Sequence, residues 1–171
     1  WRHKWMTRYG VNAADPIVSK NTIFLSTGYG KGAALLKWDG KGEPEKIWQN
    51  RELQTQMNAA VLIDGNLYGI SGNEGQDGTG LRCIELATGT VKWVETSVGH
   101  GAVTGVKDKL LVLTEEGALQ VAVASPAKYA PTFSGQVIEP KVWTVPVYAN
   151  GRVYCRNAAG SLVVVDMKNT K

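Results

Sequence analysis

One histidine in this chain is placed to do chemistry. His100 stands in Gly99-His100-Gly101, just ahead of a run of apolar residues, where an imidazole could act as a metal ligand or an acid–base group. The plainer reading is a hydrogen-bonded histidine at the edge of a sheet. The other histidine, His3, lies outside the patterned part of the chain, so His100 has no second imidazole with which to build a metal site. Cys83 and Cys155 are 72 residues apart, fit no metal or redox spacing, and are not expected to form a bridge. Gly28-Tyr29-Gly30-Lys31-Gly32 has the glycines of a phosphate loop without its spacing or the helix that must follow. The stretch from Gly72 to Gly80 has oxygen-bearing side chains without the alternating acidic order of a calcium loop. Both stretches read as long hairpin loops, and no serine sits in a Gly-x-Ser-x-Gly elbow. These residues assign no catalytic group and no metal ligand.

The elements that would position such residues are short strands. The 171 residues include 20 Gly and 6 Trp but only 2 Phe, with glycines scattered among Val, Leu, Ile and Tyr, which is the composition of strands joined by tight turns. No apolar run is long enough for a transmembrane helix. The net charge of +4 comes from scattered lysines and arginines, with no cluster beyond Arg2-His3-Lys4, so nucleic-acid binding is not expected. The chain begins at Trp1 with no charged-then-apolar leader, and is read as part of something longer.

A repeat of about 43 residues organises the whole sequence. Each copy opens with two apolar runs around a turn: 16–24, 60–68, 103–111 and 146–154. The closing residues Phe24, Tyr68, Leu111 and Tyr154 are spaced by 44, 43 and 43. Asp64-Gly65 and Asn150-Gly151 are two-residue hairpin signals, because both central positions of such a turn need positive φ. A third apolar run follows at 33–38, 81–86, 119–124 and 162–166, and a fourth strand carries Trp48 in one copy and Trp93 in the next. In the third copy the corresponding tryptophan is missing near Val137. Four antiparallel strands per repeat is the unit of a propeller blade, and no segment sustains helical periodicity. The expected fold is therefore all-β: a β-propeller of about four four-stranded blades at 12–50, 56–96, 99–139 and 142–171. Residues 1–11 would end a preceding blade. Asn12, Asn58, His100 and Trp143 lead into the innermost strands and are the candidate lining of the central funnel. Such a lining suits a peptide edge or a sugar, and equally suits a polar funnel with no ligand. The outer strand edges offer a site for an added partner strand.

In the second copy the connection Cys83-Ile84-Glu85-Leu86-Ala87-Thr88-Gly89-Thr90-Val91-Lys92-Trp93 resembles the docking motif Ala-x-Asp-x-x-Thr-Gly-x-x-x-Trp of pyrroloquinoline-quinone (PQQ) propellers. Cys replaces the Ala and Glu replaces the Asp. The chain resembles the quinoprotein-like repeat family, and within it the extracytoplasmic BamB-like proteins. The resemblance implies blade-docking roles for Trp93, Glu85, Thr88, Gly89, Trp48 and Trp1, with the acid capping backbone donors at the turn. Relatives close rings of about six to eight blades, so the chain looks like the C-terminal half of one, completed by further blades or by a second copy. The dehydrogenases of the family use a vicinal Cys-Cys disulfide, the quinone and a Ca²⁺ held by Glu, Asn and Asp, and this chain has no Cys-Cys pair. The function the resemblance implies is a non-catalytic scaffold, periplasmic or otherwise extracytoplasmic, that binds a protein partner and needs no cofactor. The alternatives are half of a quinone-dependent alcohol or sugar dehydrogenase, which would need PQQ and Ca²⁺, and a carbohydrate-binding propeller.

Overall fold

A computed structural model describes residues 1–73 and 75–168. The distal end of the last repeat, 169–171, lies outside the described residues. The first sheet is a meander of β1 (Ile17–Ser19), β2 (Thr22–Thr27), β3 (Gly32–Lys37) and β4 (Glu45–Asn50). The second holds β5 (Val61–Ile63), β6 (Asn66–Ser71), β7 (Gly80–Glu85) and β8 (Val91–Glu95). The third holds β9 (Gly101–Val106), β10 (Lys109–Thr114), β11 (Ala118–Val123) and β12 (Pro131–Gln136). The fourth has β13 (Val147–Ala149), β14 (Arg152–Arg156) and β15 (Leu162–Asp166) among the described residues. All pairings are antiparallel and join sequence neighbours, as expected for consecutive propeller blades.

The inner hairpins show how strongly the repeat governs the backbone. Asp64 and Asn150 take left-handed φ values of 46° and 51°, which their short polar side chains tolerate. Lys20 and Lys107 take the same conformation, at 53° and 55°, with no such chemistry. Pairing on either side, Ser19 with Thr22 and Val106 with Lys109, holds the turns closed and overrides local preference.

Side chains alternate across each strand, so adjacent residues serve different cores. Leu67 packs between the first and second sheets with Phe24, Leu35 and Ile84, while its neighbour Tyr68 faces the third sheet with Cys83, Leu110 and Val112. A third core, between the last two sheets, joins Leu111, Leu119 and Val121 to Val153 and Cys155. A buried Leu or Val of this kind contributes about 1.5–3 kcal/mol. The molecule thus has a chain of inter-blade cores, and each blade depends on its neighbours.

In each complete blade the pairing of third and fourth strands shifts at the same place: between Leu35 and Leu36, Cys83 and Ile84, and Val121 and Ala122. The residue opposite the first member of each pair is Trp48, Trp93 and Phe133 respectively. The docking position of the third blade is therefore Phe133, and the expectation near Val137 is corrected by four residues. The connection from Val123 to Pro131 is irregular and offers no tryptophan to mark the register.

Candidate functional site

The docking turn of the second blade is built by local hydrogen bonding. The Gly89 amide donates to the Glu85 carbonyl (2.8 Å), and Gly89 adopts a φ of +71°. A Cβ on Gly89 would stand 2.9 Å from the Trp48 ring and 2.6 Å from the Asn50 amide, so this glycine is the seat for the tryptophan of the preceding blade. Trp48 Nε1 donates to the Leu86 carbonyl (2.9 Å) and Asn50 Nδ2 to the Gly89 carbonyl (3.0 Å). Trp93 repeats the arrangement one blade on, donating to the Ser125 carbonyl (2.8 Å) between the rings of Tyr68 and Tyr129. The Glu85 carboxylate accepts from the Thr88 hydroxyl (2.6 Å) and the Lys92 ammonium (3.2 Å). These are side-chain donors, where the sequence motif suggested backbone ones. Thr88 first, then Lys92, holds the Glu85 carboxyl below its ordinary range. Trp1 packs on Trp38 with ring centroids 5.5 Å apart, on the side of the first blade that corresponds to where Trp48 meets the second.

At the centre, segments from all four blades bound a cleft of about 420 Å³, with Asp15, Asn58, Thr104 and Val145 among its lining. Asn58 Nδ2 donates to the Trp143 carbonyl (3.2 Å), linking the second blade to the fourth. Trp143 Nε1 donates to Glu115 Oε1 (2.7 Å), and the Lys141 ammonium lies 3.4 Å from the same oxygen and 4.8 Å from the indole centroid. His100 is buried, with Nδ1 3.9 Å from Glu115 Oε2, too far for a hydrogen bond. That Nδ1 has no hydrogen-bond partner among the described residues. The structure thus gathers Asn58, His100 and Trp143 into one strip, while Asn12 lies exposed on the segment that leads into the first blade. Glu115 and Lys141 belong to the strip and were not anticipated. Glu115 reaches His100 because its amide pairs with the His100 carbonyl (2.8 Å), one step beyond the β9–β10 ladder.

The strip can offer an indole face, an amide and a charged pair to a polar ligand. The groups required by the quinone alternative do not fit. Cys83 and Cys155 are buried in different inter-blade cores. Burial pushes the Cys83 thiol up to about 11 against the pull of Tyr68 and Lys92, and raises Cys155 as well. No cluster of three or more His, Cys, Asp or Glu among the described residues could hold a metal ion. The two glycine-rich loops are the β2–β3 and β6–β7 connections and touch each other, the Tyr29 amide donating to Asn73 Oδ1 (3.3 Å).

This architecture is that of a propeller built from PQQ-like repeats. No curated protein sequence matches the chain, but the family described as outer membrane protein assembly factor BamB matches residues 3–95. The chain belongs to the BamB family. Among solved structures it is similar to BamB from Moraxella catarrhalis, with a TM-score of 0.71 and 13% identity over 94% of this chain and 46% of that one. The computationally designed Ika4 protein gives 0.61 and 16% over 98% and 99%. A europium-containing methanol dehydrogenase gives 0.55 and 17% over 75% and 26%. The chain spans less than half the length of the BamB structure it matches. No helix among the described residues is long and apolar enough to cross a membrane.

Proposed function

We propose that this chain is a non-catalytic, extracytoplasmic propeller scaffold that binds protein, and that its blades take further blades of the same kind at the free faces. The observation that carries the reading is the family match over residues 3–95. It agrees with the chemistry of the centre, where Asn58, His100 and Trp143 line a polar strip and the two thiols are sequestered in separate cores. Trp143, 41% exposed, presents an indole face beside the Glu115–Lys141 pair, and large amphipathic rings on rigid supports suit protein recognition. The test is affinity capture from native cell envelope with the chain and its Trp143→Ala variant, read by mass spectrometry. The reading expects one envelope protein enriched by the chain at stoichiometric yield and reduced by the variant. Recovery of no partner from any envelope fraction overturns it.

A further inference from the structure

Three inter-blade junctions can be compared within this molecule. In the first two, the residue opposite the strand irregularity is a tryptophan that bonds a carbonyl of the next blade, at 2.9 Å for Trp48 and 2.8 Å for Trp93. Each of those rings also lies against an aromatic residue of its own blade, Phe24 at 6.0 Å and Tyr68 at 5.9 Å. At the third junction both partners are smaller: Phe133 stands in the tryptophan register and Leu111 in the register of Phe24 and Tyr68. The Phe133 ring lies along its own strand, with Cζ 3.0 Å from where a Cβ on Gly135 would be, and the residue is 41% exposed. What remains between the third and fourth blades is a cleft of about 750 Å³ lined by Leu111, Val121, Phe133 and Tyr148, and its charged lining is Lys107, Asp108 and Lys109, two cations to one carboxylate. That volume lies in the range of ligand pockets.

The geometry points to this cleft as a docking niche for an aromatic side chain carried on an acidic segment of a protein partner. The ring takes the place that Trp48 and Trp93 fill at the other junctions. A neighbouring carboxylate meets Lys107 or Lys109, and Phe133 closes over the ring from the side. The inference rests on the reading of the chain as a protein-binding scaffold and names where one contact is made.

The probe is a blocked peptide, Gly-Asp-Trp-Glu-Gly, titrated beside its Trp→Ala counterpart. Binding is measured by calorimetry and by methyl NMR shifts of Leu111 and Val121. The tryptophan peptide is expected to bind about tenfold more tightly than the alanine one, as burying one aromatic ring allows, with the shifts confined to the cleft. The Phe133→Trp variant fills the niche from within and is expected to lose that tenfold preference while melting at a higher temperature. A Lys107→Glu, Lys109→Glu variant keeps the cleft and tests the charge separately, with weakened binding expected. Equal binding of both peptides, shifts elsewhere, or full binding by Phe133→Trp overturns the niche. If envelope capture succeeds equally with wild type and Phe133→Trp, the niche is overturned and the scaffold reading stands. If capture finds no partner, the scaffold reading is what fails.

Discussion

Tryptophans 48 and 93 each do two jobs that a smaller ring cannot. They fill apolar space between blades, and their N–H groups satisfy a carbonyl that the neighbouring turn leaves free. Trp93→Phe keeps most of the first role and loses the second, leaving the Ser125 carbonyl without its donor; the expected cost is about 1–2 kcal/mol in chemical denaturation. Cys83 makes a second prediction. Its thiol titrates near 9 in the unfolded chain and at about 11 when buried, so the folded state holds the proton more tightly. The stabilisation is fully present below pH 9 and is lost as pH rises from 9 through 11. Melting temperature should therefore fall across that window more steeply for wild type than for Cys83→Ala, with native alkylation of Cys83 slow at neutral pH. Much of this residue chemistry could be read from the motif between Cys83 and Trp93. Glu115 could not, because nothing in Thr114-Glu115-Glu116-Gly117 marks it as the neighbour of a histidine; strand pairing brings the two together.

Among the elements, the inner hairpins and third strands were legible because apolar runs recur at a fixed spacing, with Asx-Gly turns marking two of the four hairpins. In the first three blades the third strand begins one residue earlier than its apolar run, at Gly32, Gly80 and Ala118, since backbone pairing carries the ladder one residue past it. The outer strand of the third blade was not legible. Its residues Pro131–Gln136 are mostly exposed and carry neither alternation nor tryptophan, so only pairing with β11 defines them. Gly117 is what fastens that strand. It has a φ of +88°, its carbonyl accepts from the Val137 and Ile138 amides, and a Cβ there would run into the Ile138 carbonyl. Gly117→Ala is expected to cost about 3 kcal/mol or more, and to free the β12 amides for hydrogen exchange before the inner strands open.

For the whole molecule, the free face of the fourth blade repeats a surface its neighbour buries. Leu111, Leu119 and Val121 are at most 6% exposed against the fourth blade. Their counterparts there by register are Tyr154, Leu162 and Val164, and the last two are 63% and 46% exposed. Isolated aliphatic residues on a surface are ordinary, but a full row in the register of a core is a surface made to be covered. The chain by itself is expected to self-associate, and a Leu162→Lys, Val164→Lys double variant to sediment as monomer with its melting temperature little changed. Sedimentation of both as monomers would remove that expectation.

The two docking tryptophans both point one way along the polypeptide, from Trp48 to Leu86 and from Trp93 to Ser125. During synthesis on the ribosome each of the first two blades therefore waits for the next to emerge before its outer strand is latched. A chain stalled after one of these blades is therefore expected to be cut by protease first at its newest outer strand, before the latched strand of the blade ahead of it.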